Sequence, residues 1–415
     1  MATDRGEGTT MTSKGSWGGR AAIAAAALAL GAPAARAAEG FKTADGWGVS
    51  FDGFVNAFAV DQFGSAAPAN TAVDPLMSGA SDQNSFRLRT GLLPGLFAFN
   101  AEAPEVDGLK VKSRVGFYPQ INNSGNREQF GAQVDLREAF VTVDGAFGQV
   151  LAGRALNLFQ GENILTDMTL FGVGTQGPVA GGGTTAGRIG YGYVYTSFGA
   201  QMRYTTPDLS GFKLAVALGD PNDIGGATAA DTATELRSPD MEAELSWTGK
   251  AGGVGVHAWL SGIYQEAWFV ATARGVVAEG GAAGVEATAG GLDLLASGFY
   301  GKGIGTFFML DYDALDATGQ ARTSQGYLLQ AAYTVGTTKL GVSYGQNSKD
   351  ETAADAAVRS TAAEIDTRRS VTVGVYHDLT KFLKLVAEYT RAQTTWFGGA
   401  SQDANVFALG GFFLW

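Results

Sequence analysis

Cysteine is absent from the 415 residues, which excludes disulfides and thiol chemistry. Histidine occurs twice, at His257 and His377, and two imidazoles without a thiolate argue against a transition-metal site. The 10 prolines are too few for a disordered chain. Positive charge is also short: the net charge of −11 opposes nucleic-acid binding, which wants a basic face. After residue 37 no apolar run approaches the ~20 residues that a membrane-crossing helix needs. Glycine, by contrast, is plentiful at 61, as suits many turns and close-packed strands. A mean hydropathy near zero reads as soluble, but a membrane barrel needs apolar side chains only at alternate positions.

Residues 1–37 have the layout of a secretory signal peptide. Lys14 and Arg20 form the basic region, Ala21 to Leu30 the apolar core, and Ala35-Arg36-Ala37 a small-x-small cleavage site. The apolar stretch is too short to cross a bilayer. The remainder, 38–415, reads as one barrel domain. At its far end Phe407-Ala-Leu-Gly-Gly-Phe-Phe-Leu-Trp415 is an apolar strand with a bare aromatic finish. A barrel that pairs its last strand with its first has a use for such a segment.

Alternation supports this. In Leu109 to Phe117, Leu109, Val111, Val115 and Phe117 share one face while Lys110, Lys112 and Arg114 take the other. Met241 to Trp247 separates Met241, Ala243, Leu245 and Trp247 from Glu242, Glu244 and Ser246. In Phe382 to Thr390 the separation is imperfect, because Val386 joins Lys384 and Glu388. The same reading predicts strands near 47–61, 84–101, 109–119, 132–144, 148–156, 199–206, 211–218 and 240–248. The second half gives 253–264, 285–300, 304–313, 322–334, 338–346, 369–377, 382–391 and 403–415. Pro94-Gly95 predicts a bulge or bend in the second of these, since proline lacks the ladder donor. Short turns alternate with mostly longer loops, expected at 62–83, 120–131, 157–198, 219–239, 265–284, 314–321, 347–368 and 392–402. The expected fold is therefore all-β: a closed antiparallel transmembrane barrel of 16 strands, whose even count puts both termini on the short-turn, periplasmic side.

Specific residues then point to a family. Arg137-Glu-Ala-Phe-Val-Thr-Val143, followed by Phe147-Gly148 and Gly153-Arg154, resembles a run carried by the general porins of Gram-negative bacteria. Arg203-Tyr-Thr-Thr-Pro-Asp-Leu-Ser-Gly-Phe212 is similar to a hairpin of the same family, and Thr338 to Tyr344 and His377 to Lys381 match later hairpins more loosely. The resemblance implies an outer-membrane homotrimer whose third long loop folds inward, here the 157–198 connection with Glu162 and Asp167. It also implies a water-filled channel for passive diffusion of small hydrophilic solutes and ions, seated in outer-membrane lipids, without a cofactor. Two departures stand out: Trp415 replaces the usual terminal Phe, and the inward loop lacks a crisp family signature.

Within that frame, Lys110, Lys112 and Arg114 are expected to line water, joined by Arg87 and Arg89 from the alternating Phe86-Arg-Leu-Arg89. Arg154 extends this basic wall or anchors the loop, and Glu162 and Asp167 are expected to face it across the narrowest point. Trp247, Tyr389, Phe413 and Trp415 are candidates for interfacial girdles. Three other readings compete: a substrate-selective channel, a receptor or adhesin built on the long loops, and a barrel enzyme. The last has little support, because neither histidine is accompanied by a nucleophile motif. Gly301-Lys-Gly-Ile-Gly305 also fails as a phosphate loop.

Overall fold

The structure, a computed structural model, describes residues 40–77, 83–123, 133–177, 183–225, 235–269, 273–310 and 313–415. The signal-peptide reading of 1–37 lies outside the described residues. One sheet closes on itself. Its first half comprises β1 (Gly48–Gly64), β2 in two pieces (Gln83–Arg89 and Leu96–Glu102), β3 (Lys110–Pro119), β4 (Val134–Gly145), β5 (Gly148–Leu156), β6 (Phe198–Thr205), β7 (Phe212–Gly219) and β8 (Asp240–Ala251). The second half comprises β9 (Val254–Phe269), β10 (Arg274–Ala289), β11 (Leu292–Lys302), β12 (Thr323–Val335), β13 (Thr338–Lys349), β14 (Ile365–Asp378), β15 (Leu383–Trp396) and β16 (Ser401–Leu414). Every neighbouring pair is antiparallel, and β16 returns to β1 from Ala404↔Gly64 to Leu414↔Phe54. The result is a closed barrel of 16 strands. Two-residue pairings at Phe41–Lys42 and Glu235–Leu236 fringe it at β1 and β9.

Side-chain sidedness repeats every second residue. On β1, Phe54, Asn56, Phe58, Val60 and Gln62 are buried inward while Val55 and Phe63 are exposed outward. On β14 the outward set is Val371, Val373 and Val375. Closure leaves no strand edge for hydrocarbon to penalise. Phe413 and Trp247 lie on the outward alternation, Phe413 at 54% exposure and Trp247 with its ring 6.1 Å from Phe212.

The break in β2 falls at Pro94-Gly95, as its chemistry requires. Both pieces pair with β1, and the interval 90–95 is satisfied by other partners: Gly91 N donates to Asn56 Oδ1 at 2.8 Å, and Gly95 N to the Pro119 carbonyl at 2.7 Å. Asn56 returns a bond to the Leu93 carbonyl at 3.0 Å.

Two strands differ from the sequence expectation. The predicted strands 285–300 and 304–313, with a loop at 265–284 and a turn at 301–303, are replaced by β10 and β11 joined at Gly290-Gly291. Both turn residues have positive φ, 56° and 89°, the requirement of the tight hairpin turn that matches strand twist. Alternation was hidden in β10 because its inward positions are small. The Trp259 indole lies where a Cβ on Gly284 would sit. The connection before β10 is therefore only 270–273, and 303–322 becomes a long one. Likewise β15 runs on to Trp396, so the expected loop 392–402 shrinks to 397–400.

The loop expected at 347–368 is shortened by longer flanking strands and contains a helix, α1 being Gly161–Leu165 and α2 Ala353–Ala362. The Thr352 side chain accepts from Asp355 N and the Asp355 side chain accepts from Thr352 N, a capping box that starts α2.

Candidate functional site

The inner wall is built by the strand alternation, and segment 157–198 meets that wall at many points. Leu158 N and Phe159 N donate to Glu242 on β8, at 2.5 and 3.0 Å. The Trp259 indole N–H on β9 reaches Asn163 Oδ1 at 3.0 Å. Met168 N donates to Gln330 on β12 at 2.9 Å. Val173 N and Gly174 N donate to the Glu388 carboxylate on β15, at 2.8 and 2.7 Å. Arg188 donates to Ser370 Oγ at 2.7 Å and Thr372 Oγ1 at 3.0 Å on β14, and Gly192 N to Asn347 on β13 at 2.8 Å. Gly345 of β13 has no side chain to keep the Tyr191 carbonyl away, and any Cβ there would collide with it.

Apolar contacts reinforce the polar ones. Phe171 of this segment lies 5.3 Å from Phe412 and 6.5 Å from Phe54, and Phe412 is 5.7 Å from Phe58. Val386, the residue that spoiled the alternation of β15, is buried in the same cluster. It faces inward because the segment, not water, covers it.

The expected site residues divide into groups. Arg114 does face inward, but wall carboxylates already hold it: Asp52 on β1 and Glu138 on β4 each lie at 2.8 Å, and Asn100 at 2.9 Å. Glu138 also accepts from Tyr118 OH at 2.7 Å. Lys110 pairs with Glu105 of the adjacent turn at 3.7 Å, both about half exposed, so it sits at the rim. Arg87 donates to the Asn123 carbonyl at 3.1 Å. Arg89 is buried and donates to the carbonyls of Gly183 and Thr184, at 3.1 and 2.8 Å, tying β2 to the 157–198 segment. Lys112 and Arg154 are exposed and carry no ion-pair partner among the described residues.

Glu162 and Asp167 have other partners. Glu162 bonds His257 Nε2 on β9 at 3.2 Å, far round the wall from the 87–114 group. Asp167 is buried inside its own segment, accepting from Thr169 N at 2.8 Å, Tyr193 OH at 2.6 Å and Arg188 N at 3.2 Å. Burial pushes its carboxyl above the ordinary value, and these donors only partly offset that. Both acids thus have their partners away from the 87–114 group. These acids fold and fix the segment; Arg89 meets backbone carbonyls instead.

A cavity of about 350 Å³ remains inside the barrel. Tyr118, Asp135, Arg137, Glu138 and Arg154 are among its lining residues. The register of β3 with β4 shifts between Gly116 and Phe117, so Arg137 is the extra residue of a bulge. Its guanidinium sits over the Tyr118 and Phe198 rings, 5.4 and 5.7 Å from their centroids. A strict period of two assigns Arg137 to the outer face, so only the bulge reveals its place. Among the described residues no group of three His, Asp or Glu is placed to hold a metal.

At the loop end opposite the short turns, ion pairs cross between connections. Arg322 meets Asp355 of α2 at 2.6 Å, Lys349 meets Glu364 at 3.0 Å and Asp313 at 3.4 Å, and Arg368 meets Asp74 at 3.1 Å. Burial would raise the Asp313 and Asp355 carboxyls, but Lys349 and Arg368 for the first, and Arg322 for the second, outweigh it and hold both below the usual 3.8. Their stabilisation is thus complete above pH 3.8 and is lost as pH falls through the lower folded values. Amide exchange in 313–322 and 353–364, corrected for intrinsic rates, should stay constant from about pH 7 to 5 and rise below the ordinary carboxylate range. A rise beginning near neutrality would contradict this assignment.

Comparison with known proteins bears on what the cavity is for. The model of a family described as Gram-negative porin matches residues 24–395. No curated protein sequence matches the chain. Among solved structures, the outer membrane channel DcaP of Acinetobacter baumannii has a TM-score of 0.70 at 16% identity, over 91% of this chain and 99% of that one. The anion-selective porin from Comamonas acidovorans has a TM-score of 0.56 at 15% identity, over 89% and 100%. OmpF of Salmonella typhi, in complex with daunomycin, has 0.54 at 14%, over 88% and 98%. At such identities these likenesses speak for the fold alone.

Proposed function

This chain belongs to the Gram-negative porin family, and from that premise we propose that segment 157–198 narrows its channel to the cavity between itself and β3–β5. The protein is a channel of the bacterial outer membrane for passive diffusion, not an enzyme. The observation that carries the constriction reading is the Glu388 carboxylate, which holds the segment's backbone at Val173 and Gly174 against the inner wall. Small hydrophilic solutes and ions pass on the side of the segment that faces Tyr118 and Arg137. Of the basic group, Lys112 acts on passing ions directly, while Arg154 stands on the outward alternation of β5, paired in the ladder with Ala139 and Ala200. Arg114 contributes a compensated charge, Arg87 and Arg89 hold neighbouring backbone, and Lys110 acts at the rim. Glu162 and Asp167 shape the segment.

Family membership also favours a homotrimer with its outward apolar faces in lipid, and export directed by residues 1–37. N-terminal sequencing of the mature protein checks the last point, with Ala38 expected first.

Liposome swelling tests the size filter. Monosaccharides should enter the vesicles readily and trisaccharides slowly or not at all. Equal rates for both would remove the constriction, and no swelling with any sugar would argue for the receptor or adhesin instead. A Lys112→Glu channel should shift the reversal potential in a KCl gradient toward cations, because an unpaired lumen charge changes sign.

A further inference from the structure

The cavity that the channel reading makes the constriction is lined mostly by apolar side chains, among them Leu92, Ile164, Leu170, Phe307 and Phe308. Leu92, Ile164, Leu170 and Phe307 are buried in the largest apolar cluster of the protein, and Phe308 packs against it, so this surface is already formed. The Phe307 and Phe308 ring centroids lie 4.0 Å apart, and Tyr195 meets Phe308 edge-on at 5.8 Å. Such a lining gains free energy by covering apolar surface and offers a hydroxyl nothing in return.

Charge at the cavity cancels. Asp135, Glu138, Arg137 and Arg154 are its charged lining residues, two of each sign. Asp135 holds Arg137 at 2.9 Å, and Glu138 accepts from Arg114 at 2.8 Å and from the Tyr118 hydroxyl at 2.7 Å. Arg154 comes from the outward alternation of β5. An ionic solute would therefore shed water here without gaining a counter-charge.

A neutral polar group at the same cavity is left unsatisfied. Thr185 is 1% exposed, and its Oγ1 has no hydrogen-bond partner among the described residues. The backbone that carries it is fixed: Thr185 N donates to the Gly91 carbonyl at 3.1 Å, and Arg89 donates to the Thr184 carbonyl at 2.8 Å. A buried hydroxyl without a partner is costly, and a solute hydroxyl removes that cost.

Resting on the channel reading above, we propose that this constriction is a binding site for small uncharged solutes that join an aromatic ring to hydroxyl groups, aryl glycosides among them. The ring lies against Phe307 and Phe308, and a hydroxyl meets Thr185 Oγ1. There is room for it: the cavity measures about 350 Å³, and one of about 150 Å³ already holds a benzene ring. A plain sugar gains nothing from the rings, and a charged analogue finds every counter-charge engaged.

The test uses the full purified channel in a planar bilayer carrying a KCl current, with phenyl glucoside as the probe. Phenyl glucoside should interrupt the current in a saturable way. Methyl glucoside, which lacks the ring, should need about tenfold higher concentration or more. Phenyl glucuronide and phenyl glucosaminide, the same frame with a negative or a positive charge, should also need about tenfold more. Phe308→Ala should raise the half-blocking concentration of phenyl glucoside several-fold without altering the response to methyl glucoside. Thr185→Val, which keeps the shape and removes the hydroxyl, should raise it about fivefold and serves alone if the first variant does not fold. Equal block by phenyl and methyl glucoside, stronger block by either charged analogue, or a phenyl glucoside response unchanged in Thr185→Val would overturn the proposal while leaving the channel reading intact. A folded protein that passes no KCl current would overturn the channel reading first, and the proposal with it.

Discussion

A Glu388→Ala channel is expected to conduct more current than the parent and to lose its narrow size cut-off. Glu388 is 5% exposed, and its carboxylate accepts from Val173 N, Gly174 N and Tyr376 OH, the last at 2.6 Å. Alanine leaves three donors without their acceptor at a site packed around them, costing about 3–5 kcal/mol of local stability. That cost falls on the segment's attachment rather than on the ladder, because β15 keeps its backbone bonds to β14 and β16. Single-channel conductance and trisaccharide uptake should both rise, while heat-modified gel mobility stays that of a folded barrel. Glu388→Gln retains one acceptor oxygen and should fall between. Unchanged conductance in the alanine channel would show that the segment does not limit flow.

Removal of Phe407–Trp415 should abolish the folded barrel altogether. Those residues supply most of the pairing that closes β16 on β1, including the exchange of bonds between Trp415 and Gly53 at 3.0 and 3.3 Å. Without them β1 and β15 present unpaired backbone groups to hydrocarbon, each costing several kcal/mol. The expected result is no heat-modifiable band and no protein in the outer-membrane fraction. A milder change, Phe412→Ala, removes a fully buried ring packed on Phe54, Phe58 and Phe171, at about 3–5 kcal/mol. It should lower the unfolding midpoint yet leave the barrel assembled.

Local pattern carried the barrel well and the lumen poorly, for physical reasons. Outward faces must be apolar at every second residue, so Phe86 and Leu88, or Val111 and Val115, declare their side unaided. Inward faces have no single rule, because part of the inner wall meets water and part meets the 157–198 segment. Val386 was the legible sign of this: an apolar residue on a lumen face means that something apolar covers it. Phe54, Phe58 and Phe412 carry the same message. Charge pairing was illegible, since Arg114 finds Asp52 and Glu138 only through strand register, 62 and 24 residues away in sequence. The bulge that turns Arg137 inward has no local signature either. Gly290-Gly291 could have been found, because paired glycines between two short segments are a hairpin signal; the small residues of β10 drew attention away from it.

The most direct test is ion conduction by the purified protein in a planar lipid bilayer. Stepwise, long-lived current increases in KCl are predicted, in groups of three equal steps if the assembly is trimeric. A protein that keeps the gel mobility of a folded barrel yet inserts without any current would contradict the account at its centre.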